Sequence, residues 1–151
     1  MSYEAPTEIL NQFPHTCYYP QVRLVTWHPR GVLDDQLSER IVAFLEMEER
    51  IAEEPFDRYT DLTGITEIRL KIGHAFEIAE RRRSGYRGPP VKSAFYSDRI
   101  ASYGISRMYE VLMEAASIRV RTFRAREAAA IWLGVPAEIL LPPAEHQLPE
   151  P

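Results

Sequence analysis

Cysteine is all but missing from this 151-residue chain, with Cys17 standing alone. That excludes an intrachain disulfide and a multi-cysteine zinc site. No apolar run approaches the ~18 residues that a membrane span needs. The opening stretch MSYEAPTEILNQF carries acids and Pro6 where a signal peptide needs basic residues and an apolar run, so a cytoplasmic location is expected. The chain contains no GxSxG, HExxH, GxxxxGK[ST] or GxGxxG, which removes the common signatures of hydrolases, zinc peptidases and nucleotide enzymes. Helix-turn-helix, RNA-binding and zinc-finger patterns are missing too, and the net charge is −4, so nucleic acid is not an expected partner.

What is present is the composition of a globular domain: 45% hydrophobic and 26% charged residues, in a chain long enough to bury a core. The modest net charge hides a polarity. Residues 34–80 hold thirteen acidic and five basic side chains, whereas residues 81–126 hold eleven basic and three acidic. Either the two blocks neutralise each other across the folded surface, or the second presents a basic face to an anionic ligand or an acidic partner.

Residues 1–14 are polar, proline-bearing and without period, and are expected to form a loose arm. The spacing predicts two short strands, Cys17–Tyr19 and Val22–Trp27, joined at Pro20-Gln21. Gly31 lets the chain turn toward Asp34-Asp35, which can cap a helix carrying Leu37, Ile41, Phe44, Leu45 and Ile51 on its apolar face and Glu46, Glu48, Glu49 and Arg50 on a solvated one. Strand Phe56–Thr63 runs through DLTG into a second helix with an apolar stripe of Ile68, Ile72, Ala75, Phe76 and Ala79, ending in Arg81-Arg82-Arg83. Val91–Tyr96 is the next strand. Ser97-Asp98 is expected to cap a third helix lined by Ala101, Ile105, Met108, Leu112 and Ala115, in which Gly104 points to close packing. Ile118–Phe123, with Arg119 and Arg121 alternating, reads as an edge strand, and Arg126–Leu133 as a last short helix stopped by Gly134. Residues 135–151 form a proline-rich tail expected to lack regular structure, although Ile139-Leu140-Leu141 is apolar enough to dock on the domain or on a second copy. Strands alternating with helices imply an α/β fold with a mostly parallel sheet.

The order of elements, together with RLVTWHPRGVLDDQL, RYTDLTGIT and FRAREAAAIWLG, resembles the SpoIIAA-like superfamily over residues 16–134. That group includes the STAS domains of anti-sigma-factor antagonists, and its fold is similar to CRAL-TRIO lipid-binding domains. The resemblance implies a domain over residues 15–134 with a four- to five-stranded, mostly parallel sheet, an N-terminal strand pair and about four flanking helices. In the antagonists an Asp-Ser pair follows the DLSG-like stretch, and the serine is the phosphoacceptor. Laying Asp61-Leu62-Thr63-Gly64 on that pattern puts Arg69 and Leu70 at those places, and Leu70 has no hydroxyl to phosphorylate. Thr63 and Thr66 read as helix-start caps.

Ligands in open parallel sheets bind outside the carboxyl ends of the strands. Here that edge gathers Asp61, Thr63, Ser97 and Asp98, with Arg124 after the last strand, either as a crevice for a small anionic or lipid ligand or as caps that leave nothing for one. The tyrosines of the middle elements, among them Tyr59, Tyr86, Tyr96, Tyr103 and Tyr109, either line an apolar cavity or pack in the core. His15 and Cys17 lack further metal ligands nearby, and His28 and His74 show no nucleophile or orienting carboxylate. No cofactor, metal or catalytic residue is expected. The sequence reads as a non-enzymatic STAS-like interaction module, self-associating or meeting a protein partner. A small-molecule or lipid binder is the alternative and an uncharacterised enzyme the third reading.

Overall fold

The computed structural model describes residues 13–143. The expected arm over residues 1–12 and the end of the tail, residues 144–151, lie outside the described residues. Five strands form the main sheet in the order β1 (Thr16–Tyr19), β2 (Leu24–Trp27), β4 (Asp57–Asp61), β6 (Val91–Tyr96), β7 (Ile118–Phe123). β1 pairs antiparallel with β2 through the turn at Pro20–Arg23, and the remaining pairings are parallel. β7 is an edge strand, as its alternating arginines imply. Helices α1 (Asp35–Ile51), α2 (Ile72–Gly85) and α3 (Ile100–Leu112) pack on one face, with Trp27, Leu33, Ile41, Val42, Phe44, Leu62, Ile65 and Ile78 in the core between. Phe13 also packs in this core. On the other face α4 (Arg126–Leu133) and a 3₁₀ turn at Ala137–Leu140 cover Leu24, Tyr59 and Ala94. Ile139 and Leu140 are buried there, and Gly134 adopts the left-handed conformation that ends α4.

The largest departure from the sequence reading lies at DLTG. The chain does not enter a helix there. It makes a short 3₁₀ turn, Leu62–Gly64, and then a further strand, β5 (Ile65–Arg69). β5 pairs in parallel with β3 (Gly31–Asp34), which sequence reading took for a turn. The two form a small second sheet that continues the β2–β4 pairing beyond a shared bend at His28–Arg30 and Leu62–Gly64. Gly64 is required at this bend: a Cβ there would lie 2.7 Å from the Pro29 carbonyl oxygen. Gly31 leaves it with φ +84°.

Because Ile68 sits in β5, the stripe counted from it holds within α2 only at Ala75 and Ala79. α2 starts at Ile72, and Ile72 and Phe76 are 66% and 49% exposed, while Ile78, Ala79 and Arg82 face inward. α3 keeps its expected stripe at Ile105, Met108 and Leu112, which line the space against the sheet, but not at its two alanines. Ser102 and Ser106 are buried, Ala101 and Ala115 are exposed, and a Cβ on Gly104 would meet nothing within 4 Å. The small polar serines face the sheet because each hydroxyl can satisfy itself locally: Ser106 Oγ donates to the Ser102 carbonyl at 2.9 Å. Asp34 caps α1 by accepting from the Leu37 N–H at 2.8 Å. α3 has no side-chain cap: Ser97 lies two residues ahead of the N-cap position, and its Oγ accepts from the Arg99 N–H at 3.3 Å. Nor is the acidic face of α1 wholly solvated, since Glu49 is buried against two arginines. Ile51, counted on the apolar face, is exposed. The two charge blocks do meet along α1 and α2, where Arg81 bonds Glu39 and Glu46 and Arg82 bonds Glu49.

Candidate functional site

Strand alternation sends Tyr59 and Asp61 of β4 to the α4 face and Arg58 and Thr60 to the α1–α3 face. Asp61, at the end of β4, is 1% exposed. Its Oδ1 accepts from the Thr63 N–H at 3.1 Å and the Thr63 hydroxyl at 2.6 Å, which builds the 3₁₀ turn. Its Oδ2 accepts from the Tyr59 hydroxyl at 2.7 Å and from Arg126 Nε and Nη2 at 3.1 and 2.9 Å. Burial alone would raise this carboxyl, but the bonds from Thr63, Tyr59 and Arg126 outweigh it and hold the group below the usual carboxylate range. Burial, then the neighbouring carboxylate, pushes the Tyr59 hydroxyl well up. Both oxygens are fully engaged, so Asp61 is a structural node that ties β4 to α4.

His28 joins this node from the bend after β2. Its Nε2 donates to the Leu140 carbonyl at 2.9 Å and lies 3.8 Å from Asp61 Oδ2. The carbonyl accepts only, so the proton sits on Nε2; Nδ1 is buried without a partner. Burial lowers the His28 pKa, against the pull of Leu140 and Asp61. A histidine does therefore fold beside an acid, and the 3₁₀ turn carrying Leu140 lies over both.

Of the five residues expected to border the crevice, only Asp61 and Thr63 meet. Ser97 follows Tyr96, the register partner of Asp61, but is fully buried and bonds Arg99. Asp98 is exposed and has no partner among the described residues. Arg124 is exposed, with its guanidinium 5.1 Å from the centre of the Tyr103 ring. The cation that reaches Asp61 is Arg126, two residues on. One signal was available: an arginine in the first turn of a helix opposes the dipole and asks for an anionic neighbour. Tyr59 was legible as well, since it shares a strand face with Asp61.

The opposite face of the same strands holds an apolar cavity of about 140 Å³ between the sheet and α1–α3. Trp27, Leu62, Ile78, Phe95 and Tyr109 give it walls. It exists because Ser38, Thr60, Ala75, Ser93 and Ser106 are small where helices and sheet meet. Arg58 and Arg82 also line it. Arg82 holds Glu49 in a two-pronged pair at 2.9 and 2.5 Å, and Arg58 bonds Glu49 and the Phe56 carbonyl. A third feature lies at the sheet edge. Lys92 and Arg119 are cross-strand partners on the α4 face, Arg121 follows on that face, and Trp132 of α4 lies within cation–π reach of Lys92 and Arg121.

Among the described residues no helix is long and apolar enough to cross a membrane, and no three His, Cys, Asp or Glu side chains gather as a metal site. No family model matches the chain, and no curated protein matches it. Among solved structures it is similar to an uncharacterized protein of the DUF3478 family with a SpoIIAA-like fold from Shewanella loihica PV-4, at 13% sequence identity and a TM-score of 0.46, over 87% of this chain and 92% of that one.

Proposed function

We propose that this protein is a non-enzymatic, STAS-like interaction module that meets an acidic partner on the basic face formed by β6, β7 and α4. The observation that carries the reading is the unbalanced charge at that edge. Lys92 stands opposite Arg119, a like-charge pair that costs rather than stabilises in isolation. Arg119 and Arg121 are exposed and pair with no acid among the described residues, whereas Arg81, Arg82, Arg83, Arg107 and Arg126 each hold one. An anionic partner relieves that repulsion, and the flanking Trp132 supplies an apolar contact. The Asp61 node supports the non-enzymatic part of the reading, because its acceptors are spent on the fold. Leu70, at the phosphoacceptor place, packs against the core instead of offering a hydroxyl. The test is fluorescence anisotropy of a labelled polyglutamate peptide with the protein and with Arg119→Glu/Arg121→Glu. Binding that weakens steeply with added salt and disappears in the double variant is expected. Equal binding by both proteins sinks the reading.

Self-association is a second reading with its own support. Ile72 and Phe76 lie one turn apart on the exposed face of α2, and α3, beginning with the exposed Ile100, lies beside it. A second copy covering this face predicts a mass that rises with concentration in sedimentation equilibrium and stays monomeric for Phe76→Glu. A monomer at every concentration removes this reading.

A further inference from the structure

We propose that the cavity between the sheet and α1–α3 is a binding site for a small monocarboxylate with an apolar body. This is independent of the basic edge, which lies on the other side of the sheet. Three observations lead to it.

The first is size and lining. At about 140 Å³ the space matches core cavities of about 150 Å³ that stay dry and accept a benzene-sized molecule. Trp27, Leu62, Ile78 and Phe95 offer such a body an apolar, partly aromatic surround.

The second is charge. Arg58 is 4% exposed and Arg82 is 3% exposed, and both line the cavity. Among the described residues Glu49 is the only acid that pairs with either of them, so these three side chains carry one positive charge in excess. Arg58 Nε is buried with no hydrogen-bond partner. Burial works against the Arg58 charge, with Glu49 as its main support. Glu49, the Phe56 carbonyl and the Phe56 and Tyr86 rings already support the Arg58 charge, and a second anion would balance the positive charge that two arginines and one glutamate leave over. A carboxylate does so with the planar geometry that a guanidinium matches best.

The third is hydrogen-bonding capacity in the right place. Ser93 is the register partner of Arg58 on the neighbouring strand, and Thr60 is two residues along β4 on the same face. Both line the cavity, are mostly buried, and their hydroxyls bond no group among the described residues. A carboxylate beside Ser93 would meet that hydroxyl directly, and the Arg58 Nε once that side chain shifts toward it. Arg58 also lines a surface cleft of about 470 Å³ with Glu49, Phe56 and Tyr86, so the cationic end of the cavity is the end nearest that cleft.

The probe is benzoate, compared with benzamide and benzylamine, on the full chain by isothermal titration and thermal melting. Saturable one-to-one binding of benzoate is expected, with a rise in melting temperature. The neutral and cationic analogues should bind roughly tenfold or more weakly, as loss of a charge-assisted pair implies. Ser93→Leu fills the space and should abolish benzoate binding while keeping or raising the melting temperature. Arg58→Met should bind benzoate no better than benzamide; if it fails to fold, the ligand series and Ser93→Leu still decide. Equal affinity for the three compounds, unchanged binding by Ser93→Leu, or no saturable binding at millimolar benzoate overturns the proposal.

Discussion

The two faces of one strand, β4, have opposite economies. On the α4 side, Tyr59 and Asp61 end in a network in which every carboxylate lone pair has a donor. On the α1–α3 side, Arg58 and Thr60 border an unfilled space, and the arginine keeps one buried N–H without a partner. Residues adjacent in sequence thus divide the labour. One side closes the fold by fastening the bend, α4 and the C-terminal turn to the sheet; the other retains polar capacity that nothing in the described chain consumes. Each face keeps an unpartnered buried atom, His28 Nδ1 on the α4 side and Arg58 Nε on the other, but only on the α1–α3 side does the unpartnered group belong to a residue that borders an unfilled space, where the proposed ligand would sit.

The widest separation between the faces should come from removing their central acids. Asp61→Ala strands the Arg126 charge, the Tyr59 hydroxyl and the Thr63 amide at once. It should cost about 3–5 kcal/mol in urea unfolding, the range for breaking a buried charge pair. Glu49→Gln removes the carboxylate that both Arg58 and Arg82 share and should cost about 3 kcal/mol. The contrast lies in rescue. Millimolar benzoate should restore part of the Glu49→Gln loss, because the added anion enters beside the same guanidinium groups, and should restore none of the Asp61→Ala loss beyond the gain seen in the wild type. Equal rescue of both variants erases the distinction between the faces.

A smaller effect separates them by pH. His28 belongs to the closed face, and burial lowers its pKa from the ordinary 6.5. A lowered pKa in the folded state means that the unfolded chain binds the extra proton first. The stability that neutral His28 contributes is therefore complete above 6.5 and is lost as pH falls below it, with a slope of at most about 1.4 kcal/mol per pH unit for one proton. Unfolding free energies measured across this window should slope for the wild type and slope less for His28→Gln, which keeps only the part due to His15, whose pKa burial also lowers. A His28→Gln protein with the full wild-type slope assigns the titration elsewhere.

How far these faces were legible depends on which interactions carry them. Local patterns did well: β6, β7 and α4 have the bounds that periodicity and punctuation imply, and Asp34 caps α1. The order of strand pair, helix and alternating strands is the observed one, with β3 and β5 added. Those two failed because each is four or five residues long and is a strand only through pairing with the other, 30 or so positions away. With Ile68 counted into a helix, the expected stripe runs through Ile72 and Phe76, which are exposed, whereas Ala75 and Ala79 of the same stripe do face inward. The Asp61 node is likewise long-range. Asp61 and Thr63 were legible as a turn, but Arg126 lies 65 residues away and His28 in the bend after another strand. The cavity was illegible in principle, since it comes from small residues on five separate elements facing one another.

The smallest expected effect comes from the solvent-exposed face of α3, away from the cavity. Gly104 lies within α3, and a Cβ built on it has no neighbour within 4 Å. Its φ is not in the left-handed region, so alanine fits the backbone as it stands. Alanine is preferred over glycine in a helix interior by about 1 kcal/mol, because it lowers the entropy of the unfolded chain without meeting anything in the folded one. Gly104→Ala should therefore raise stability by about that amount in urea unfolding, with the slope against denaturant unchanged. Gly64→Ala is the internal contrast on the closed side: its Cβ would run into the Pro29 carbonyl, so the same substitution should destabilise. If Gly104→Ala also destabilises, α3 is packed at that position by something beyond the described residues, and a second copy of the chain on the α2–α3 face becomes the first candidate to examine.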